Sequence, residues 1–401
     1  MLYHCLYSNI GSMSKGLSYV LVTPYTVAKS RTGGVLSRLL SRTDLDLVGA
    51  QMFTPDQNFA DKYETSLRKR APSNQLVLLA DYVKNFFGPS GGRAHRTLLL
   101  LFRGENPCDQ LLNACGHLYT QHVEVDALAG ETIRDTYSDL IFNEDGTPRY
   151  FEPAVLTPRS QEEANGDLKL LADFLDGGEN IVQNVIHPDP SKIERTLVII
   201  KPDNWTHNSS RPGAVIDMFS RTGLRIVGIK IHRLSLAEAL DFYGPVETIL
   251  KEKLASVFGK RAKELLEKEF RFTFGSDIDK IINESIGTEC AKNEFVNIVE
   301  FMSGKRPGCY TAEEMQKPGN VKCMILIYEG ENAVNRIRDV LGSTDPSQAR
   351  EGTVRREFGS NVMVNTAHAS DSHESFEREQ NIVRINHNSV VSIIREHLAG
   401  S

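Results

Sequence analysis

Ser41-Arg42-Thr43-Asp44-Leu45-Asp46-Leu47-Val48-Gly49 recurs as Ser220-Arg221-Thr222-Gly223-Leu224-Arg225-Ile226-Val227-Gly228. Further matches flank this pair in the same order. Upstream, Val20-Leu21-Val22-Thr23-Pro24 stands against Val198-Ile199-Ile200-Lys201-Pro202. Downstream, Leu98 to Phe102 followed by Arg103-Gly104-Glu105-Asn106 matches Met324 to Tyr328 followed by Glu329-Gly330-Glu331-Asn332. Thr132-Ile133-Arg134 then matches Thr353-Val354-Arg355. Ordered matches of this kind mark a duplication, with a period far too long for a solenoid. The chain therefore divides into a loose tail (1–15), a first domain (16–183), a linker (184–193) and a second domain (194–401). The linker carries His187-Pro188-Asp189-Pro190, which breaks regular structure.

Elements alternate within the second domain. Thr196 to Ile200 is a short, β-branched apolar run, hence a buried strand. Pro212-Gly213 opens a helix through Arg221, with Val215, Ile216 and Phe219 on one face. Leu224 to His232 alternates as a strand, and Leu236 to Tyr243 reads as a short helix. Glu294 to Met302 is a helix with apolar residues at helical spacing. Lys322 to Tyr328 is a strand, Ala333 to Leu341 a helix and Val362 to Thr366 the last strand. The order predicts an α+β class: two tandem ferredoxin-like (split βαβ) sandwich domains with antiparallel sheets and helical insertions in both.

Composition narrows the function. The 401 residues carry a formal net charge of −6, without the basic character nucleic-acid binding needs. No stretch is long and apolar enough to span a bilayer, and the first residues lack the basic region of a secretory signal. Met13-Ser14-Lys15-Gly16 reads as an alternative start. The cysteines Cys5, Cys108, Cys115, Cys290, Cys309 and Cys323 form no C-x-x-C pair and have no zinc spacing to histidines. They read as reduced thiols in a reducing compartment, so the expected location is cytoplasmic.

The second domain holds an ordered polar set. Lys201 ends the first strand, Arg338 lies on the helix after Asn332, and Thr344 follows in a loop with Gly342, Asp345 and Pro346. Arg355, Asn365, His368, Ser370 and Glu379 come next. Cations with hydroxyl, amide and imidazole groups suit a phosphate ester. No glycine-rich phosphate loop is present, so side chains and metal would hold the phosphates. Singly, each residue also reads as structural: Arg338 and Arg355 as surface ion pairs, Asp203 and Asp345 as turn formers.

As a set they resemble the nucleoside diphosphate kinases over nearly all of Glu194 to Glu379. The resemblance is carried by Ile200-Lys201-Pro202-Asp203, Leu341-Gly342-Ser343-Thr344-Asp345-Pro346, Gly352-Thr353-Val354-Arg355 and Asn365-Thr366-Ala367-His368-Ala369-Ser370-Asp371-Ser372. The family has a glycine where Ala369 stands, a swap expected to tighten the turn beside the histidine. The resemblance implies that His368 takes the terminal phosphate of a nucleoside triphosphate and passes it to a diphosphate. It implies that Glu379 orients the imidazole, directly or through the Ser370 region. Arg338, Thr344 and Arg355 would hold phosphates, and Lys201 and Asn365 the ribose hydroxyls, with Lys201 also near the transferred phosphate. Tyr243 matches the family tyrosine near the histidine, and Phe295 lies within one position of the base-stacking aromatic, where Glu294 stands. Mg2+ would arrive with the nucleotide, and no protein metal cage is expected.

Two insertions depart from the family pattern, near 247–290 and 303–320. Leu250 to Leu266 reads as charged helices and Lys305 to Asn320 as a loop. The first domain reads as degenerate: Thr23 stands where Lys201 stands, and alignment along Val155-Leu156-Thr157-Pro158-Arg159 places Leu156 at Asn365 and Arg159 at His368. Arg134 survives, and Ile141 to Tyr150 is a further insertion with an Asp145-Gly146 turn. Expected partners are nucleoside tri- and diphosphates. The two domains are expected to form an intramolecular pseudo-dimer, with homo-oligomers as a further possibility. The alternative function is a structural module with this fold, for example in a ciliary axoneme.

Overall fold

A computed structural model describes residues 15–70, 74–118, 130–183 and 185–400. Apart from Lys15, the expected tail, with Cys5 and the start at Met13, lies outside the described residues, as does Asn184 of the linker.

The first part of the chain runs β1 (Gly16–Val22), α1 (Pro24–Ala28), α2 (Thr32–Arg42), β2 (Asp46–Phe53), α3 (Gln57–Lys69), α4 (Asn74–Phe86), β3 (Thr97–Gly104), α5 (Pro107–Cys115), α6 (Ile133–Tyr137), β4 (Asp139–Phe142), β5 (Pro148–Glu152), β6 (Val155–Leu156) and α7 (Gln161–Leu175). The second runs β7 (Ile193–Ile200), α8 (Arg211–Ser220), β8 (Arg225–His232), α9 (Leu236–Phe270), α10 (Asp277–Ile282), α11 (Thr288–Ser303), α12 (Ala312–Gln316), β9 (Cys323–Glu331), α13 (Ala333–Leu341), α14 (Val354–Phe358), β10 (Ala367–Ala369), α15 (His373–Ile382) and α16 (Val390–Ala399).

Each part builds a four-stranded sheet, in the orders β2-β3-β1-β6 and β10-β7-β9-β8. In both, the first and third strands are central and the second and fourth lie at the edges, with antiparallel pairing of β1 to β3 and β6, of β2 to β3, and of β10 to β7. That is the ferredoxin-like order expected from the sequence, built twice. The central strands are buried almost along their length (Leu17 to Val22, Leu197 to Ile200, Cys323 to Tyr328), as strands covered on both faces must be.

Two compact units emerge: one from the described residues up to Ile193, with Asn208–Lys230 and the described residues from Asn386 on, the other from Glu194–His207 and Ile231–Ile385. In the first, α3, α4 and α7 bury Phe59, Tyr63, Val83, Leu168 and Leu171 against Leu17, Tyr19, Leu99 and Leu101 of the sheet, and Val390 and Ile394 of α16 join the same core. Helix α2 crosses α8 at a pair of glycines, where a Cβ added to Gly33 would lie 2.6 Å from the Gly213 carbonyl oxygen. Only hydrogen side chains permit that approach.

Three sequence expectations are revised. The helix at Leu236 does not stop at Tyr243 but continues through Pro245 to Phe270 as α9. A capping box at Ser235 and Glu238 starts it, and i,i+4 pairs such as Glu247–Lys251 at 2.7 Å carry it on. The segment Val362 to Thr366 is irregular, and the last strand is Ala367–Ala369. Asn361 causes this, because its side-chain oxygen accepts from the Met363 and Val364 amides at 2.9 and 2.8 Å in place of a strand partner. The Lys305 to Asn320 segment contains the short helix α12, set by a capping box at Thr311 and Glu314. The insertion at Ile141 to Tyr150 is the β4–β5 hairpin, turned where Gly146 takes φ +78°.

Candidate active site

His368 occupies the middle of β10, opposite Ile199 of β7. Ala367 and Ala369 on either side are buried, while the imidazole keeps 23 % exposure. The strand begins after Thr366, a β-branched residue at φ +73°, a conformation that costs about 1–3 kcal/mol and persists only where its surroundings enforce it. They do so here: the Thr366 carbonyl accepts from the Lys201 amide at 2.9 Å and from Asn204 Nδ2 at 2.8 Å.

Helix α15 is capped by Ser372, whose side chain accepts from the Ser375 amide at 3.0 Å, and it brings Glu379 beneath the histidine. The buried carboxylate meets His368 Nε2 at 3.0 and 3.1 Å and accepts from Ser370 Oγ at 2.7 Å. The orientation is therefore direct, and buried Ser370 serves the carboxylate without touching the imidazole. A carboxylate at Nε2 claims the hydrogen of that nitrogen, so Nδ1 retains its lone pair. Phe242 and Tyr243 of α9 stand edge-on to the ring at centroid distances of 5.1 and 6.4 Å. The Tyr243 hydroxyl is buried without a hydrogen-bond partner, and burial followed by the Glu379 charge pushes its pKa up.

The cations form two further groups. Lys201 Nζ donates to Asn365 Oδ1 at 2.7 Å and to the Met363 carbonyl at 3.2 Å. Burial, then the charge of Arg355, lowers its pKa from 10.5 to about 7, with Asp203 opposing. Asn365 Nδ2 donates in turn to the Thr344 carbonyl at 3.0 Å, and the Thr344 side chain is exposed. Arg355 donates to the Gly342 and Ala367 carbonyls, both at 3.1 Å, so it braces the strand that carries His368. Burial and then Arg338 lower its pKa to about 10. Arg338, Arg350 and Arg355 line one open cavity with Ser343 and Gln348; Thr344 is not among its lining residues.

A buried lysine with a depressed pKa has a definite pH signature. Between about pH 7 and 10.5 the unfolded chain binds a proton at Lys201 that the folded chain lacks, so stability rises with pH across that window. Urea unfolding of the ligand-free protein at pH 7 and 9 should show a larger gain for wild type than for Lys201→Met. Equal gains would show that Lys201 is not desolvated.

Some site residues escaped the sequence. Phe242 and Asn204 were hidden beside better-matched neighbours, Tyr243 and Lys201. Phe301 of α11 lies 5.8 Å from the Lys201 ammonium, whereas Phe295, expected near the base, is buried at 8 % exposure. Ala369 tightens no turn: it is strand residue opposite Val198, without positive φ, where alanine is as acceptable as glycine.

The first unit shows which residue stands where the second has its histidine. Arg134 donates to Gly116 and Val155 carbonyls, the latter at 3.2 Å, as Arg355 does to Gly342 and Ala367. Val155 thus corresponds to Ala367. Pairing agrees, because Leu156 faces Leu21 as His368 faces Ile199. Leu156, not Arg159, holds the histidine position, and Pro153 holds that of Asn365. Asp167 lies seven residues after the capping Ser160, as Glu379 lies after Ser372. The first unit thus has a carboxylate at the Glu379 position and no imidazole before it. Fully buried, Asp167 is ion-paired with Arg70 and accepts from Tyr19 at 2.5 Å and Ser66 at 3.0 Å.

Among the described residues no helix is long and apolar enough to cross a membrane, and no group of three or more His, Cys, Asp or Glu could hold a metal ion.

A family model described as nucleoside diphosphate kinase matches residues 194–254 and 309–387. A nucleoside diphosphate kinase from Anaeromyxobacter dehalogenans is 31% identical over 183 residues, covering 46% of this chain and 83% of the relative. One from Nitratiruptor sp. is 30% identical over 187 residues, covering 47% and 92%. Solved nucleoside diphosphate kinase structures from Pyrobaculum aerophilum and Aquifex aeolicus match at 26% and 25% identity, over 47% and 48% of this chain and 94% of theirs, with TM-scores of 0.32 and 0.29.

Proposed function

Because the chain belongs to the nucleoside diphosphate kinase family, we propose that its second half moves the terminal phosphate of a nucleoside triphosphate to a nucleoside diphosphate through a phosphohistidine on His368. The observation that carries this reading is the Glu379 carboxylate on Nε2, at 3.0 Å, which leaves Nδ1 as the nucleophile. Nδ1 attacks the terminal phosphorus in line, an N–P bond forms, the bond to the bridging oxygen breaks, and the nucleoside diphosphate departs. The second diphosphate reverses these events: its terminal oxygen attacks phosphorus and Nδ1 leaves. Glu379 offsets the positive charge that the imidazole acquires meanwhile.

Arg338, Arg355 and Thr344 are proposed to hold the phosphates, and Lys201 and Asn365 the ribose hydroxyls. Phosphate charge beside Lys201 would return the proton that burial disfavours, strengthening its attraction for the transferring group. The chain's donors in this region are cations, hydroxyls and amides, so magnesium would be carried by the nucleotide oxygens, where it neutralises charge.

For the first half, 16–183, we propose a structural role in an internal pseudo-dimer. Leu156 cannot accept phosphate, and the crossing of α2 with α8 at Gly33 and Gly213 supports a built-in partnership. The test of the main reading is incubation of the full chain with terminally labelled ATP and magnesium. Acid-labile, alkali-stable label on the His368 peptide, dischargeable by a nucleoside diphosphate, is the expected result. A protein that takes up no label would refute it.

A further inference from the structure

Helix α9 contains a local defect directly beside the histidine. Pro245 has no backbone N–H, so the carbonyl four residues earlier, that of Asp241, cannot receive its helical hydrogen bond. An unpartnered carbonyl in a helix that must pack is costly and invites bending at that point. Here the defect falls in the turn that presents Phe242 and Tyr243 to the imidazole.

Arg378 fills it. From α15 its Nη1 donates to the Asp241 and Phe242 carbonyls, both at 3.2 Å. Its guanidinium carbon lies 5.9 Å from the Phe242 ring centroid, and its Nη2 is 3.7 Å from Glu379 Oε1. One planar cation thus joins the broken turn of α9, the aromatic ring that abuts His368 and the carboxylate that holds Nε2. Arginine suits the task because its forked donors can serve separate acceptors at once.

We infer that Arg378 is a positioning residue for His368, acting by repairing the Pro245 break in α9 and so fixing Phe242 against the imidazole. The inference rests on the proposed phosphotransfer but has its own geometric cause, so the two can fail separately. Arg378 reaches His368 through Phe242 and Glu379. Its role is to fix the angle at which Nδ1 is offered, and its loss should fall on the transfer step and not on nucleotide affinity.

The experiment uses the full chain as wild type, Arg378→Met, Arg378→Lys, Pro245→Ala and the Arg378→Met/Pro245→Ala double variant. Single-turnover labelling by ATP and magnesium gives the transfer rate, and ATP titration gives Kd. Carbethoxylation of His368 by diethyl pyrocarbonate, followed by mass spectrometry, reports ring presentation without requiring activity. Arg378→Met should slow labelling roughly tenfold with Kd changed less than about twofold, and should change the carbethoxylation rate. Arg378→Lys should recover part of the loss, since an ammonium can serve one carbonyl. In the Pro245→Ala background the restored N–H should occupy Asp241 O, and the Arg378→Met effect should shrink. Failure of the wild type to label, with carbethoxylation still responding to Arg378→Met, would defeat the phosphotransfer reading and uphold the positioning one. Unchanged labelling and carbethoxylation in a folded Arg378→Met protein, or an undiminished effect in the alanine background, would overturn the inference.

Discussion

His368→Ala is expected to lower nucleotide exchange by at least ~10³-fold, about 4 kcal/mol of transition-state free energy, and to abolish acid-labile labelling. The size follows from the chemistry. In the proposed reaction Nδ1 is both the group that attacks and the group that stores the phosphate, so no neighbouring residue can share the loss. Asn365 and Ser370 are hydrogen-bonded nearby, and neither an amide nor a hydroxyl offers a basic nitrogen. The fold should survive, because the imidazole is partly exposed and β10 is held by backbone bonds that any side chain leaves in place, among them Lys201 N–H to the Thr366 carbonyl and Ser370 N–H to the Leu197 carbonyl. His368→Gln is the stricter control, since its amide can still donate to Glu379 and keep that buried carboxylate satisfied. Exchange at the wild-type rate in either folded variant would require a different nucleophile.

The second large effect belongs to the first unit. Arg70→Met should destabilise the protein by about 3–5 kcal/mol, the usual consequence of stripping the partner from a buried charge. Asp167 is fully buried, and among the described residues Arg70 is its cationic partner, backed by the hydroxyls of Tyr19 and Ser66. Tyr63 completes the network through Tyr19 at 2.8 Å, and burial, then Asp167, pushes the Tyr63 pKa up, so it remains a neutral phenol and cannot replace the guanidinium. Asp167→Asn in the Arg70→Met background should regain much of the loss by removing the stranded charge. Urea midpoints for the single and double variants test this, and a single variant within about 0.5 kcal/mol of wild type would show that Asp167 is not dependent on the pair.

Much of this was readable in the linear chain. The repeat landmarks at Leu45 to Val48 and Ile226 to Val227 did locate paired strands, because burial preserves apolar spacing whatever happens to function. The polar set from Lys201 to Glu379 was legible as an ordered series. What escaped depended on contacts distant in sequence. Alignment along the segment from Val155 to Arg159 mislaid the degenerate position by three residues, because nothing local distinguishes Leu156 from Arg159; only the carbonyl that Arg134 selects does so. The continuation of α9 past Tyr243 runs against the local effect of Pro245, and the donor that meets that turn comes from Arg378, far along the chain. The second role of Arg355, bracing β10, was equally invisible in its spacing.

On the reading proposed for the first half, its Asp167 carboxylate makes the change at Leu156 hard to reverse. A histidine restored at Leu156 would arrive in a lipophilic slot and face an acid already committed to Arg70 and Tyr19. To become an orienting group again, Asp167 would have to abandon the pair that now keeps its unit folded, before any catalytic benefit existed. Each single step back lowers fitness for folding. On that reading inactivity there would behave as a ratchet: a group that once served a reaction centre would now serve as a foundation, and selection for stability would guard the loss.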